Sequence, residues 1–422
     1  LCSVGFLGFT YARKSSQAKT IDLLPKIEEA RKLVATESVQ MVKGVIGTRQ
    51  VKVGRHKYRE EPITGVTGRE MALAVMDPEG VINVIRAVRD DSGLHVKTPG
   101  FFLYMRRENG INSDIACEKP AGGRVLAIKY PVSNEGARFG PGPDVLEAVY
   151  TPYSGEIKTE EVVLRGVKIQ QEFVDKAYAK LRQRDVLSRA FEGRFVAEAI
   201  PKNIMTVLLI NEHIDPGDFT EESVAGPLAD RVLTVIGTNR EKAYLYSISS
   251  AGAHGLVQMM PSTYYRIAGL YSAAGLMSSF TQGMTDPVNA IMAQVLLCDS
   301  DWHSIRQISD ISASKVGPYL AAAYNGGVGR VLSVLSNDQA DWMEDPESNS
   351  QPTMRVSRSV PVRVLTRRGR QRTRYVVKTY TEPIFRAETN KYVRQYHWIA
   401  TYLDAKSKKA AEESSVEQSA RR

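Results

Sequence analysis

Near residue 167 the hydrophobic period of this chain changes, and no architecture built from one kind of element accommodates both patterns. From about Val39 to Leu164, apolar runs are short and punctuated by Gly and Pro: Phe101 to Met105, Arg124 to Val132 and Val145 to Tyr150, with Phe139-Gly140-Pro141-Gly142-Pro143 between the last two. That pattern predicts strands and turns. Past Val167, Phe173, Ala177 and Leu181 recur every fourth residue, as do Leu187, Phe191 and Phe195, which predicts helices. A further helix is expected after Pro201, carrying Met205, Leu208, Leu209 and Glu212. Asp286-Pro287 reads as an N-cap followed by proline at the first helical position, opening a helix through Ala290, Ala293 and Leu297. Ahead of the strands, Pro25 suits the start of a short helix whose apolar face is Ile27, Ala30, Leu33 and Val34. The expectation is an α+β protein, with a mixed α/β or β-rich N-terminal domain over 21–165 and a mainly helical C-terminal domain over 166–403.

Composition bounds what such a chain does. Its 422 residues suffice for roughly two or three domains, and 43% hydrophobic with 24% charged residues is a globular balance. No apolar run after the N-terminus is long enough to predict a transmembrane helix. Leu1 to Phe9 is apolar and is followed by Thr10-Tyr11-Ala12 and the basic Arg13-Lys14. Residues 1–20 read as the remnant of a secretory leader and linker, and equally as a short buried strand. The first reading gives the expectation of export to the periplasm or cell envelope. Cys2, Cys117 and Cys298 form no Cys-x-x-Cys pair, and the six histidines show no His-Glu-x-x-His spacing. Neither a metal nor a cofactor is expected.

Between Arg355 and Lys378 lie nine basic residues and no acidic one, a surplus equal to the whole net charge of +9. Two strand-like runs there, Val360 to Leu365 and Thr373 to Tyr380, flank Arg367-Arg368-Gly369-Arg370 and predict a hairpin inserted at 355–381. Its candidate polyanion contacts are Arg363, Arg367, Arg368, Arg370, Arg372 and Arg374, with an anionic wall polymer or a membrane surface as partner. Nucleic acid is the weakest candidate, because only Tyr375 and Tyr380 interleave as stacking residues. The plain alternative is a solvated edge whose arginines prevent strand pairing. The stretch 404–422, rich in Lys, Glu, Ser and Ala, has the composition of a disordered tail.

The segment Ser249-Ser250-Ala251-Gly252-Ala253-His254-Gly255-Leu256-Val257-Gln258-Met259-Met260-Pro261 spends its residues as a site rather than a core helix would. Glycine and alanine bring backbone close to something, while Ser249, Gln258 and Met260 offer polar or polarizable groups. Glu212 ends the apolar run Val207-Leu208-Leu209-Ile210-Asn211. A carboxyl among apolar neighbours is pushed toward the neutral form that a general acid needs, although a lone helical glutamate is more often a solvated one.

Together these pieces resemble the lytic transglycosylases with a lysozyme-like domain. Their signature Ser-x-x-Gly-Ala-x-Gly-Leu-Met-Gln-Ile-Met-Pro differs from Ser249–Pro261 only at Val257 and Met259. Ala322-Ala323-Tyr324-Asn325-Gly326-Gly327-Val328-Gly329 resembles the family's Ala-Tyr-Asn-Ala-Gly-Pro-Gly segment, and Glu388-Thr389-Asn390-Lys391-Tyr392-Val393 its Glu-Thr-x-x-Tyr-Val. The likeness covers about Ile200 to Leu403. It implies that Glu212 is the catalytic acid and then base, that Ser249 and Tyr324 hold the sugar or the glutamate, and that Gln258, Met260, Asn325 and Glu388 line a saccharide groove. The implied substrate is the peptidoglycan glycan strand, cut at the MurNAc-β-1,4-GlcNAc bond with a 1,6-anhydro end. A hydrolytic, lysozyme-like muramidase and a non-catalytic wall or polyanion binder are the alternatives. The chain departs from the family at His213, where serine is common, at Gly327-Val328-Gly329, which lacks the proline, and in a long insert at 214–248. That insert suggests an added wall or lid. Asp215 is the nearest second acid, and with Pro216 behind it the expectation is that it closes the helix.

Overall fold

The computed structural model describes residues 21–133, 145–215, 217–337, 339, 343, 352–365 and 371–420. The Phe139–Pro143 turn, Cys2, Pro216, Arg367, Arg368 and Arg370 lie outside the described residues.

The first helix, α1 (Leu23–Ala35), begins at Asp22, whose side chain accepts a hydrogen bond from the Leu24 backbone N–H. Pro25 therefore sits inside the first turn rather than opening it. An antiparallel sheet follows: β1 (Met41–Lys52), β2 (Tyr58–Met76), β3 (Ile82–Asp90), β4 (Gly93–Val96), β7 (Arg124–Ser133) and β8 (Val145–Tyr150), in the order β4-β3-β2-β7-β8 with β1 on β2. The pleat of β2 sorts its side chains between two cores. Ala72, Ala74 and Met76 pack with Ile27, Ala30 and Val34 of α1. Met71, Leu73 and Val75 join the core of the helical half. The sheet is thus a middle layer, and one continuous core crosses from it into the helices.

A smaller sheet pairs β5 (Phe102–Arg107) with β6 (Asp114–Lys119), joined by a single 3-10 turn at Gly110–Asn112. Arg89 on β3 holds that turn by donating to the Gly110 carbonyl.

The helical half starts with α2 (Glu160–Gln183), capped by Thr159. Its partner α5 (Ala225–Asn239) approaches so closely that a Cβ on Gly166 would stand 2.1 Å from the Leu233 carbonyl oxygen, and one on Gly237 2.3 Å from that of Val162. Glycine is required at both positions. The insert at 214–248 therefore supplies a core helix as well as surface, which its length did not reveal. At the end of α5, buried Asn239 ties to the other half: its Oδ1 accepts from Arg31 and from the Thr151 N–H, and its Nδ2 donates to the Thr151 carbonyl as well as to the Val235 carbonyl of its own helix.

Leu187, Phe191 and Phe195 do not form the expected helix. Asp185 adopts a left-handed backbone just past α2, Gly193 turns the chain, and Leu187 and Phe195 face each other across an isolated bridge. Phe191 instead packs edge-on against buried Trp302, ring centroids 4.8 Å apart. The short α3 (Val196–Ala199) follows, then α4 (Lys202–Asn211), α6 (Pro261–Leu270), α7 (Phe280–Thr285), α8 (Pro287–Arg306), α9 (Val316–Gly326) and α10 (Val328–Ser336). Asp286 caps α8 as expected, accepting from the N–H groups of Val288 and Asn289.

The basic hairpin pairs β9 (Thr353–Leu365) with β10 (Gln371–Pro383), both longer than the sequence pattern suggested. Arg363, Arg372 and Arg374 are exposed on it. The last helix, α11 (Ala387–Ala420), runs through the stretch expected to be disordered. Alanine, lysine and glutamate are good helix formers, and Lys406 anchors the helix through ion pairs with Glu160 and Asp230.

Candidate active site

Glu212 is the C-cap of α4, a helix whose Ile204, Met205 and Val207 to Ile210 are all buried. Its carboxyl borders a cleft of about 640 Å³, and desolvation by its surroundings raises its pKa to about 8. Tyr392, one turn into α11, opposes part of that rise by donating its hydroxyl to Glu212 Oε1 at 2.5 Å, and the nearby negative charge of exposed Glu388 adds to it. The result is a carboxylic acid that carries its proton at neutral pH.

His213 lines the same cleft, stacked on Tyr244 with ring centroids 3.5 Å apart and planes 10° from parallel. Its Nε2 lies 2.8 Å from the Leu256 carbonyl, so that nitrogen carries the proton. Burial lowers the imidazole's pKa to about 4, leaving it neutral. Tyr324 donates to the next carbonyl, that of Val257, at 2.6 Å. Two side chains thus hold successive carbonyls of the signature segment.

That segment is a strained strap rather than a helix. Gln258 has φ of 45°, in the left-handed region, and its Nε2 donates to the Gly255 carbonyl at 2.7 Å. Gly255 has φ of 71° and a Cβ there would stand 2.7 Å from the Met284 carbonyl. Ser249 closes the adjoining turn, its Oγ accepting from the Ala253 N–H while its own N–H donates to the Ala253 carbonyl. Ser249 and Gln258 line the cleft with Glu212 and His213. Met260 does not line it; it precedes Pro261 at the start of α6. Asn325 accepts from Thr389 through its Oδ1, joining the ends of α9 and α11.

The opposite wall comes from the N-terminal half, where no motif marked it. Arg107, at the end of β5, is ion-paired with Asp215 at 2.6 Å and with Asp218. Asp215 therefore faces a cation across the cleft, whatever its part in ending α4. Asn112, in the 3-10 turn, donates to Ser247 Oγ at 3.1 Å, and the Ser247 carbonyl in turn accepts from the Gly255 N–H. Nothing in the spacing of residues 102–112 announces these contacts, because they depend on tertiary pairing alone. Tyr392 was visible within Glu388–Val393, but no role for it followed from the residues themselves.

Residues 243–344 match the family model of the transglycosylase SLT domain. The chain carries a lytic transglycosylase domain of lysozyme-like type. The SLT match takes in the strap from Ser249 to Pro261 together with Tyr324 and Asn325, whereas Glu212, Glu388 and Tyr392 lie outside it and are brought to it by the fold. The SLT family acts on peptidoglycan. No curated protein and no solved structure matches the chain. Among the described residues no group of three or more His, Cys, Asp and Glu is placed to hold a metal ion, and Cys117 and Cys298 are free thiols. No helix of the described residues is long and apolar enough to cross a membrane.

Proposed function

We propose that the protein is a peptidoglycan lytic transglycosylase in which Glu212 serves as acid and then as base. The observation that carries this reading is Glu212 itself, a carboxyl held protonated at the wall of a polar cleft. Its proton passes to the glycosidic oxygen between N-acetylmuramic acid and N-acetylglucosamine, and the C1–O bond breaks. The acetamido oxygen of the muramyl residue stabilises the cationic C1, as in substrate-assisted glycosidases. The ionised Glu212 then takes the proton of the C6 hydroxyl as that oxygen bonds to C1. The acid is regenerated, a 1,6-anhydro end forms, and no water is consumed.

Asp215 supports a second reading. It lines the same cleft and is ion-paired with Arg107, so a second carboxylate is at hand for water activation in a lysozyme-like hydrolysis. Digestion of purified peptidoglycan and mass analysis of the fragments separates the two. Anhydro ends, lighter by one water than reducing ends, support the transglycosylase; reducing ends support the hydrolase. Absence of fragments overturns both.

Because this substrate lies in the cell envelope, the reading implies export to that compartment. The hairpin is the second contact we assign to the same surroundings. Its register sets Arg358 opposite Lys378 and Arg374 opposite Val362, so cations and valines share one face. An anionic wall polymer or membrane surface fits that mixture better than a purely polar partner.

A further inference from the structure

The charges that line the cleft are not all accounted for by one another. Arg107 serves both Asp215 and Asp218, and Glu108 is ion-paired with Arg89. Glu212 is neutral at pH 7. Arg231, on the insert helix α5, lines the same cleft and is only partly exposed, yet among the described residues no carboxylate stands within ion-pair distance of it and its N–H groups have no hydrogen-bond acceptor. Its guanidinium lies against the ring of Tyr153, 4.9 Å from the centroid. Stacking on an aromatic face fixes the plane of the fork and leaves its edge free to pair with an oxyanion. A half-buried cation with no carboxylate in direct contact, Asp114 acting on it only from beyond ion-pair distance and pairing with Arg106 instead, faces a cleft whose own acids are already paired and can take an anion from outside.

Given the glycan substrate proposed above, the two alternating sugars differ in one charged group. The muramyl residue carries a lactyl arm that ends in a carboxyl, either free or extended by a stem peptide with its own carboxylates. The glucosamine residue carries none. We propose that Arg231, backed by Tyr153, is a subsite for the carboxylate on the muramyl side arm, and that it sets which sugar of the strand is seated over Glu212. Both residues lie outside the stretch 243–344, so this subsite comes from the insert and the β-rich half rather than from the SLT segment.

The test is calorimetric binding to the Glu212→Gln protein, which removes turnover from the readout. Three soluble muramyl-glucosamine oligomers serve as probes: peptide-free with lactyl carboxylates, peptide-bearing, and peptide-free with every carboxyl converted to a neutral methylamide. Neutralising the oligomer is expected to weaken binding about tenfold to a hundredfold, the span of a lost charge-assisted hydrogen bond. Adding Arg231→Gln is expected to lower affinity for the charged oligomers to that of the neutral one and to leave the neutral one unchanged. Arg231→Lys, which keeps the charge without the fork, is expected to fall between, and serves as the probe should Arg231→Gln fold poorly. Tighter binding of the peptide-free acid assigns the lactyl carboxylate as the ligand; tighter binding of the peptide-bearing oligomer assigns the stem. Equal affinity for charged and neutral oligomers, or an equal preference for charge in the Arg231 variants, overturns the subsite. Cleavage of peptidoglycan by the native protein with such charge-blind binding removes the subsite and leaves the reaction. Charge-selective binding without cleavage removes the reaction and leaves the subsite.

Discussion

Tyr392 and Glu212 are 180 positions apart in the chain and share a 2.5 Å hydrogen bond, the tyrosine donating. A donor normally favours an ionised carboxyl, yet Glu212 stays protonated because burial outweighs that single bond and exposed Glu388 adds to the effect. The catalytic proposal rests on this balance, and each part of it can be moved separately.

Replacing Glu212 by Gln keeps the shape and removes the proton. Fragment release from peptidoglycan is expected to fall by roughly a thousandfold or more, with the circular dichroism spectrum unchanged. Undiminished release by this variant would reassign the acid.

The pH dependence follows from the same carboxyl. With its pKa at about 8, activity that needs the protonated acid should decline as pH rises through about 8, read as kcat/KM against pH. The folded state also holds this proton where the unfolded chain, with an ordinary value near 4.5, does not. Stability therefore falls as pH rises between about 4.5 and 8, by about 5 kcal/mol at most. Glu212→Gln should lose that dependence, and its Tm should exceed that of the native protein at pH 9. His213 has the opposite sign: lowered to about 4, it costs stability as pH falls from 6.5 toward 4.

Tyr392→Phe removes the donor that favours the ionised form. The alkaline limb of the activity profile should move to higher pH, while the rate drops about tenfold because the carboxyl is less firmly placed. An unmoved limb would mean that the hydroxyl has no electrostatic hold on Glu212.

Gly237→Ala tests the packing of α5 on α2. Its new methyl would press on the Val162 carbonyl, which is backbone and cannot swing aside. Overpacking of this kind costs about 1–3 kcal/mol, which thermal denaturation would show as a drop of several degrees in Tm.

On the hairpin, substituting Arg372, Arg374 and Lys378, which share one face, together by Ser should weaken binding to anionic vesicles and flatten its dependence on salt. Cleavage of soluble oligomers should be unaffected. Binding that is indifferent to salt would point to a plain solvated edge.

The sequence revealed most where a pattern among neighbouring residues suffices. Strand runs in the first half, the capped helix at Asp286-Pro287 and the strap from Ser249 to Pro261 all depend on neighbours in sequence, and they stand in the fold as the pattern suggests. Leu187, Phe191 and Phe195 misled because a spacing of four says nothing of the left-handed residue before them or the glycine among them. The helix beyond residue 404 was missed for a related reason: disorder was inferred from polarity, although the same residues propagate a helix once Lys406 anchors it to Glu160 and Asp230. The far wall of the cleft was out of reach in principle. Arg107, Asn112 and Arg231 carry no motif, and what makes them part of a site is which residues the fold sets opposite.

Asn239 gives the two halves of the chain a common fate. Its Oδ1 takes both its donors, Arg31 and the Thr151 N–H, from that half, so pulling the β-rich half away would strand a buried amide oxygen at the end of α5, while Nδ2 would keep the Val235 carbonyl of its own helix. Recombination that transplants the SLT segment alone would carry off the strap but neither its glutamate nor its facing wall. A lineage of such proteins is therefore expected to inherit both halves as one heritable unit, not to shuffle the SLT segment between different N-terminal partners.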